Sequence, residues 1–245
     1  MPQPSPLIGD DLRPPFVTAQ WLHLIIASWL VDAPFVERYV PRGLELETVL
    51  GRSYVSLVAF EFHDARVRGL AIPWHTRFAE MNLRLYVRAR GGRGVVFIRE
   101  FVRSPFTAWT ARTVYHEPYA CRDLRSVISR SPKRIAATYT IAHKGRRFHL
   151  SAEGTLPPYR PVPDSVEERL KEHTRGYGRD RAGTPLVYRV LHAPWPLYAV
   201  VGFQCTVDFG ALYGAAWASL NARPPDHVMF AVGSPVQIFE PLPLT

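Results

Sequence analysis

Frequent prolines and glycines limit the length of every regular element that this chain can form. The 245 residues include 23 prolines and 16 glycines, and 47% of the residues are hydrophobic. A chain this apolar can bury a sizeable core, so the prolines and glycines mark turns between ordered segments. No regular alternation of strands with helices appears, which argues against a parallel sheet. The sequence therefore predicts a β-rich α+β fold, an antiparallel barrel or sandwich with a few short helices.

Short segments rich in β-branched and aromatic residues indicate where the strands lie. The predicted strands are residues 21–31, 44–49, 54–63, 82–88, 95–102, 134–142, 147–153 and 232–240. Turn residues between neighbouring segments predict three hairpins, with turns at residues 51–53, 90–94 and 144–145. A proline-rich stretch at residues 157–163 is predicted to be a linker.

Capping residues and prolines indicate three short helices, at residues 32–41, 104–115 and 164–174. Ser104 can cap the second helix, with Pro105 at its first helical position. Asp164 can cap the third helix, with Glu167 three residues later completing a capping box. Residues 1–15 are expected to form a flexible proline-rich arm, and residues 16–245 a single domain.

Charge and cysteine content bear on the partners and the compartment. The formal net charge is +9, but the basic residues are scattered and only three are lysines, Lys133, Lys144 and Lys171. Nucleic-acid-binding proteins usually concentrate their positive charge, so nucleic acid is a disfavoured partner. Cys121 and Cys205 form no CxxC pair, and the longest apolar run, residues 21–31, is too short to span a bilayer. We expect a cytoplasmic protein without a signal peptide and without a membrane partner.

The strong catalytic and cofactor motifs are absent from the sequence. There is no GxGxxG segment, no GxxxxGK[ST] phosphate loop and no GxSxG nucleophile elbow. His116 and Glu117 lack the second histidine that a zinc-binding HExxH motif needs. The sequence therefore predicts no cofactor and no metal site.

Three weaker polar groups could carry chemistry. Glu80, Asn82 and Arg84 share one face of a strand, which either lines an interior pocket or faces solvent. The segment ARTVYHEPY places Arg112, His116, Glu117 and Tyr119 around the end of a helix, either as a site or as a capped helix end with a surface ion pair. The third group lies near residues 61–63 and 192–195, where Glu61, His63, His192 and Trp195 could line a pocket or serve the structure alone.

The chain resembles the YqjF-like bacterial family, domain of unknown function 2071. The stretches that carry the resemblance are VPRGLELETVLGRSYVSLVAFEF, IPWHTRFAEMNLRLYVR, GVVFIREF, ARTVYHEPY and VLHAPWPL, from about residue 19 to the C-terminus. That family is similar in turn to acetoacetate decarboxylase. The resemblance implies a β-barrel-like fold around a central pocket, and assembly into homo-oligomers.

The resemblance also implies that the lysines needed for Schiff-base catalysis are missing from this chain. The decarboxylase has an acidic strand and a G-R-E-x-x-G-x-P-K-K segment whose first lysine forms a Schiff base. Glu80 matches the acid, while Tyr119 and Ala120 stand where the two lysines would be. A Schiff base requires a primary amine. Since Lys144 is predicted in a turn and Lys171 on the surface of a helix, we expect no Schiff-base lysine.

Three hypotheses about function remain open. The first is binding of a small anionic, carboxylate-like molecule in the pocket, by Arg84, Arg112, Asn82, Glu61, His192 and Trp195. The second is a lyase or hydrolase that uses acid–base catalysis by Glu80, His116, Glu117 and Tyr119. The third is a structural or interaction protein whose pocket is filled by Tyr119, Trp109 and Trp195.

Overall fold

Strands make up most of the ordered chain in the computed structural model, which describes residues 13–72, 76–89 and 92–244. The strands are β1 Val17–Val31, β2 Glu45–Leu46, β3 Ser53–Val67, β4 Leu70–Ala71, β5 Phe78–Ala89, β6 Gly92–Val102, β7 Tyr119–Cys121, β8 Asp123–Arg130, β9 Arg134–His143, β10 Arg146–Tyr159, β11 Arg175–Arg179, β12 Pro185–His192, β13 Leu197–Cys205, β14 His227–Ile238 and β15 Leu242–Pro243. The helices are α1 Ala33–Glu37, α2 Pro105–Val114, α3 Val166–Lys171 and α4 Phe209–Tyr213, with a 3-10 helix at Ala215–Ala222. The predicted β-rich fold with few short helices is confirmed.

The strands join into one sheet whose main path is β15-β12-β11-β6-β5-β3-β1-β14-β13-β10-β9-β8. β12 pairs with β14 as well as with β11, so the pairings from β12 through β6 and β1 to β14 form a ring. The described pairings are antiparallel, as predicted, except that β6 pairs in parallel with β7 and β11. These parallel pairs bring elements distant in sequence to the same edge of β6.

Both faces of the central strands are buried. Leu57 of β3 and Leu83 of β5 pack on one face, into a core shared with β9, β10 and α4. On the other face, Val58 and Phe60 line a cavity together with Glu80. The alternation predicted around residues 80–88 is therefore confirmed, and the alternative in which the polar face meets solvent is wrong.

Two local predictions hold in detail. Helix α2 begins after Ser104, whose Oγ accepts a hydrogen bond from the backbone N–H of Thr107 at 3.1 Å. The hairpin between β9 and β10 turns at Lys144 and Gly145, whose φ angles are 47° and 76°. Two consecutive positive φ values are what a two-residue type I′ turn requires, and glycine adopts them without steric cost.

The hairpin predicted across residues 51–53 is wrong. β2 pairs with β5, where Glu45 lies opposite Arg88, while β3 lies between β1 and β5. Only an isolated bridge between Val49 and Arg52 remains near the expected turn. The prediction paired the two segments because they are close in sequence. Burial of both faces of β3 instead favours pairing with the long strands β1 and β5. The turn predicted at residues 90–94 falls partly on residues 90–91, outside the described residues, and Gly92 already begins β6.

The third helix is also capped differently from the prediction. Ser165 precedes α3 and its Oγ accepts from the N–H of Glu168 at 3.2 Å, so the cap is one residue later than Asp164. Asp164 has a φ of 61° and turns the chain before the helix starts. The predicted linker at residues 157–163 is wrong in its first part, because β10 extends to Tyr159. The sequence prediction missed α4 and the 3-10 helix.

Two further expectations concern the chain as a whole. The predicted arm at residues 1–15 falls on residues 1–12, outside the described residues, apart from residues 13–15. Cys121 and Cys205 are both free. No helix in the described part of the chain is long and apolar enough to cross a membrane.

Candidate functional site

A cavity of ≈ 170 Å³ lies against the polar face of β5. Its walls are largely apolar and aromatic, and helix α2 borders it with Phe106 and Ala111, followed by Tyr115 just after the helix. Charged or hydrogen-bonding side chains interrupt this apolar wall at Glu80, Asn82, Arg84, Glu100, Glu117, Tyr119, Lys171, His173, Arg175 and Tyr188. Tyr119 and Trp195 line the cavity without filling it, and Trp109 is 58% exposed, which argues against the filled-pocket hypothesis.

Three glutamates form an acid cluster at one end of the cavity: Glu80 on β5, Glu100 on β6 and Glu117 just before β7. All three are at least 96% buried. The sheet register explains why they meet, since Glu100 lies opposite Asn82 on one side and Tyr119 on the other. Adjacent strands thus place these side chains next to one another on the same face.

Hydrogen bonds connect the acid cluster to its neighbours. Tyr119 donates from its hydroxyl to Oε2 of Glu80 at 2.8 Å, and Asn82 donates from Nδ2 to Oε1 of Glu80 at 3.0 Å. Tyr188 hydrogen-bonds to Glu117. Oε1 of Glu100, Oε1 of Glu117 and Oδ1 of Asn82 are buried without a hydrogen-bond partner among the described residues. Buried acceptors normally find a donor, so these oxygens are available for further hydrogen bonds.

A β-bulge turns Glu100 into the cavity. Leu83 lies opposite Arg99, but Arg84 lies opposite Phe97, which leaves Ile98 without a partner on β5. The extra residue reverses the alternation, so Phe97 and Glu100 both line the cavity although they are three residues apart. A regular strand would have placed Arg99 there instead.

Gly176 on β11 makes room for Tyr188. A methyl group on Gly176 would lie 2.1 Å from Cζ of Tyr188, closer than any real contact. At Gly178, by contrast, a methyl group would meet Oε1 of Glu117 at an ordinary 3.5 Å. The lack of a side chain at Gly176 therefore allows the Tyr188 ring to cross β11 and reach Glu117.

Burial determines the protonation of the acid cluster. Desolvation raises the pKa of Glu117 from 4.5 to about 8, with the negative charge of Glu80 adding to the effect. Burial and the charges of Glu80 and Glu117 raise the pKa of Glu100 well above its usual value. Burial also raises the pKa of Glu80, although hydrogen bonds from Tyr119 and Asn82 oppose the rise. The acid cluster thus retains a proton near pH 7 and can donate as well as accept hydrogen bonds.

A basic end lies further along the same strand. Arg84 is four residues beyond Glu80 on β5, and its Nη2 donates to the carbonyl of Leu170 at 3.0 Å. Its Nε is buried and has no hydrogen-bond partner among the described residues. Lys171 of α3 is only 2% exposed and its Nζ pairs with Oε1 of Glu172. The expectation that Lys171 lies on a helix surface is wrong, because α3 turns this residue inward.

His173 also lines the cavity at its basic end, and it was not among the predicted site residues. Its ring packs against Tyr86 with centroids 5.0 Å apart. Burial, together with the charges of Arg84 and Arg93, lowers the pKa of His173 to about 4 despite the opposing effect of Glu47. The separation between Nε2 of His173 and Oε2 of Glu47 is 3.7 Å, too long for a hydrogen bond. This histidine is therefore neutral at neutral pH.

The structure brings together some of the predicted site residues and leaves others apart. Those that line the cavity are Glu80, Asn82, Arg84, Glu117, Tyr119 and Trp195. Arg112 is exposed on α2 and His116 is half-buried, and neither contributes to the cavity wall. The ring of His192 stacks on that of Trp195 with 4.3 Å between the ring centroids, and His192 itself does not line the cavity.

Glu61 lies in a separate buried cluster. Its Oε2 is 3.0 Å from Nδ1 of His23 and 3.1 Å from Nε2 of His63, and its Oε1 accepts from Ser126 at 2.7 Å. Burial alone would raise the pKa of Glu61, but these hydrogen bonds outweigh it and lower the pKa to about 2. No three His, Cys, Asp or Glu side chains in the described part of the chain are arranged to hold a metal ion.

Sequence comparison places this chain beside an uncharacterised family. The family model DUF2071, described as an uncharacterised conserved protein, matches residues 18–235. The uncharacterised protein YqjF of Bacillus subtilis (strain 168) is 31% identical over 182 residues, which cover 72% of this chain and 73% of that protein. These matches agree with the resemblance recognised in the sequence.

Solved structures with the same fold are enzymes of low sequence identity. Acetoacetate decarboxylase from Legionella pneumophila matches with a TM-score of 0.65 at 10% identity, covering 100% of this chain and 92% of that one. The enduracididine biosynthesis enzyme MppR, complexed with pyruvate, matches with a TM-score of 0.64 at 14% identity, covering 97% and 93%. An acetoacetate decarboxylase-like enzyme from Sphingomonas wittichii RW1 matches with a TM-score of 0.64 at 11% identity, covering 97% and 96%. These likenesses show the fold of the chain.

Proposed function

This chain belongs to the DUF2071 family of uncharacterised conserved proteins, and we propose that it binds a small carboxylate-bearing molecule in the cavity of a barrel. The ring of paired strands forms the barrel wall. The observation that carries the proposal is Arg84, whose buried guanidinium donates to a backbone carbonyl, lies 5.6 Å from the centroid of the Tyr86 ring and keeps Nε unpaired among the described residues. A buried cation without an anionic partner is costly, and a carboxylate fits the guanidinium fork.

The dimensions of the cavity support a small ligand. A volume of ≈ 170 Å³ would hold roughly ten water molecules or a ligand with a similar number of non-hydrogen atoms. Phe60, Phe97 and Trp195 supply apolar walls that would bury the carbon chain of such a ligand. MppR, which has this fold, was solved with pyruvate, and pyruvate is therefore a suitable first probe.

Calorimetric titration with pyruvate and with caproate tests the proposal. We expect one of them to bind the wild-type protein and Arg84→Gln to weaken that binding by about tenfold or more, the effect of losing a charged hydrogen bond. Arg112→Gln, which removes an exposed arginine outside the cavity, is the matched control and should bind like the wild type. Absence of binding by both carboxylates, or equal losses in the two variants, would overturn the proposal. Native mass spectrometry of the purified protein would identify a molecule that co-purifies.

A second candidate function, acid–base catalysis of a lyase or hydrolase type without a Schiff base, is favoured by the pKa of Glu117. A carboxyl group with a pKa of about 8 can deliver a proton near neutral pH. Glu80, held by Tyr119, would accept a proton from the same ligand. His116 has no part in this scheme because it does not line the cavity. If a bound carboxylate is turned over, Glu117→Gln should lower kcat by about 10²–10⁴-fold with little change in affinity.

A further inference from the structure

The two ends of the cavity have opposite chemical character. Glu80, Glu100 and Glu117 cluster at one end, while Arg84 and Lys171 line the other. Glu80 and Arg84 are separated by four residues on β5, which corresponds to roughly 13 Å of extended strand. Because both side chains reach inward, a ligand of a few carbon atoms could contact both ends at once.

Unpaired atoms at the two ends are complementary to a ligand with two kinds of charged group. At the acid end the unpaired atoms are oxygens, Oε1 of Glu100, Oε1 of Glu117 and Oδ1 of Asn82, and all three accept hydrogen bonds once the two carboxyl groups are ionised. At the basic end the unpaired atom is a donor, Nε of Arg84. A carboxylate at the basic end would satisfy the unpaired donor of Arg84. A second carboxylate at the acid end would add negative charge to the three glutamates.

Building on the proposed function, we propose that the natural ligand is a small dipolar molecule, with a carboxylate at Arg84 and an ammonium or guanidinium group among Glu80, Glu100 and Glu117. A cationic group supplies several N–H donors to the unpaired oxygens. Its charge also removes the mutual repulsion of carboxylates that are held together in a buried site. Phe60 and Phe97 enclose the apolar chain between the two charged groups.

Three ligands of equal chain length test this inference: ε-aminocaproate, caproate and hexylammonium. We expect ε-aminocaproate to bind at least about tenfold more tightly than either of the other two, because only it satisfies both ends. Titration in two buffers of different ionisation enthalpy should show proton release with ε-aminocaproate and not with caproate. The release is expected because the cationic group favours ionised carboxylates in the acid cluster.

The double variant Glu100→Gln/Glu117→Gln tests the acid end directly. It should lose the preference for ε-aminocaproate over caproate and release no proton. Glu153→Gln, at a partly exposed residue of β10 that pairs with Arg134 outside the cavity, is the matched control. If the double variant does not fold, as judged by circular dichroism, Glu117→Gln alone with the proton measurement serves in its place.

The outcomes separate this inference from the proposed function. Caproate binding that depends on Arg84, with no gain from the amino group, overturns the dipolar ligand and leaves carboxylate binding intact. Hexylammonium binding as tight as that of ε-aminocaproate, without dependence on Arg84, overturns both. Failure of all three ligands and of pyruvate also counts against both.

Discussion

Tyr119 of β7 and Glu80 of β5 are joined by a 2.8 Å hydrogen bond that passes over β6. β6 lies between the two strands, and its residue Glu100 is paired with Tyr119 on one side. The bond therefore links both neighbours of β6 on the cavity face and orients the carboxyl group of Glu80. It also lowers the pKa of Glu80 against the effect of burial.

Tyr119→Phe removes this bond and leaves Oε2 of Glu80 without its donor. We expect the free energy of unfolding to fall by about 1–3 kcal/mol, the cost of an unsatisfied buried polar group. Urea unfolding at neutral pH measures the loss. Tyr159→Phe, at a tyrosine that is 47% exposed, should leave stability nearly unchanged. Equal stability of the two variants would show that the Glu80 bond contributes nothing.

Glu117→Gln should flatten the pH dependence of stability. Folding raises the pKa of Glu117 from 4.5 to about 8, so the native state binds more protons than the unfolded state across that interval. The free energy of unfolding of the wild type therefore falls as pH rises from 4.5 to 8. The fall attributable to Glu117 is at most on the order of 4–5 kcal/mol. Urea unfolding between pH 5 and pH 8 should show a smaller fall in the variant, and parallel curves would contradict this assignment.

Gly176→Ala should disturb the wall of the cavity. The new methyl group would meet the Tyr188 ring at 2.1 Å and push its hydroxyl away from Glu117. Overpacking of this kind costs about 1–3 kcal/mol of stability. Gly202→Ala on β13 is the matched control, since its methyl group would meet Cβ of Glu153 at an ordinary 3.5 Å. A crystal structure of Gly176→Ala with Tyr188 unmoved would refute the account.

Lys171 should not form a Schiff base with pyruvate although it lines the cavity. An ion pair with the carboxylate of Glu172 holds its Nζ, and this contact would have to break before Nζ could attack a carbonyl carbon. Borohydride treatment with pyruvate, followed by peptide mass spectrometry, should reveal no adduct on Lys171. An adduct that Lys171→Ala abolishes, and Lys144→Ala does not, would establish amine catalysis instead.

Glu61→Gln should weaken the protein at neutral pH but not in strong acid. The pKa of Glu61 is lowered from 4.5 to about 2 in the native state. Its stabilisation is therefore present above pH 4.5 and is lost as pH falls toward 2. We expect a loss of roughly 2–3 kcal/mol at pH 7. Unfolding curves at pH 7 and pH 3 measure it, and an equal difference at both pH values would argue against the lowered pKa.

Local patterns in the sequence predicted some features of the site and could not predict others. Period-two alternation identified Glu80, Asn82 and Arg84 as neighbours on one face, because side-chain direction in a strand depends on position alone. Whether that face was buried depended on the pairing of β12 with β14, which involves residues distant in sequence. The hairpin predicted at residues 51–53 is wrong for a related reason, because β2 and β3 pair with other strands and not with each other.

The sequence did not predict the cavity residues that lie outside a regularly alternating strand. Lys171 was expected on the surface because it ends a polar helix, and only the packing of α3 against Arg84 turns it inward. A signal for His173 existed in the segment Lys171–Glu172–His173, where three titratable residues follow one another. No local sequence pattern predicts that the Tyr188 side chain reaches Glu117 across Gly176.

The bulge at Ile98 makes the site sensitive to the register of β6 as well as to its residue types. Deleting that single residue would remove the bulge but keep Arg99 opposite Leu83 and Glu100 opposite Asn82. Pairing Ile98 with Leu83 instead would move each later residue of β6 by one position. The guanidinium of Arg99, which now donates to the carbonyl of Leu212 at 2.7 Å, would then enter the cavity, and the carboxyl group of Glu100 would enter the apolar core. The charge of the cavity wall therefore depends on leaving Ile98 unpaired, which Ile98→Val would preserve.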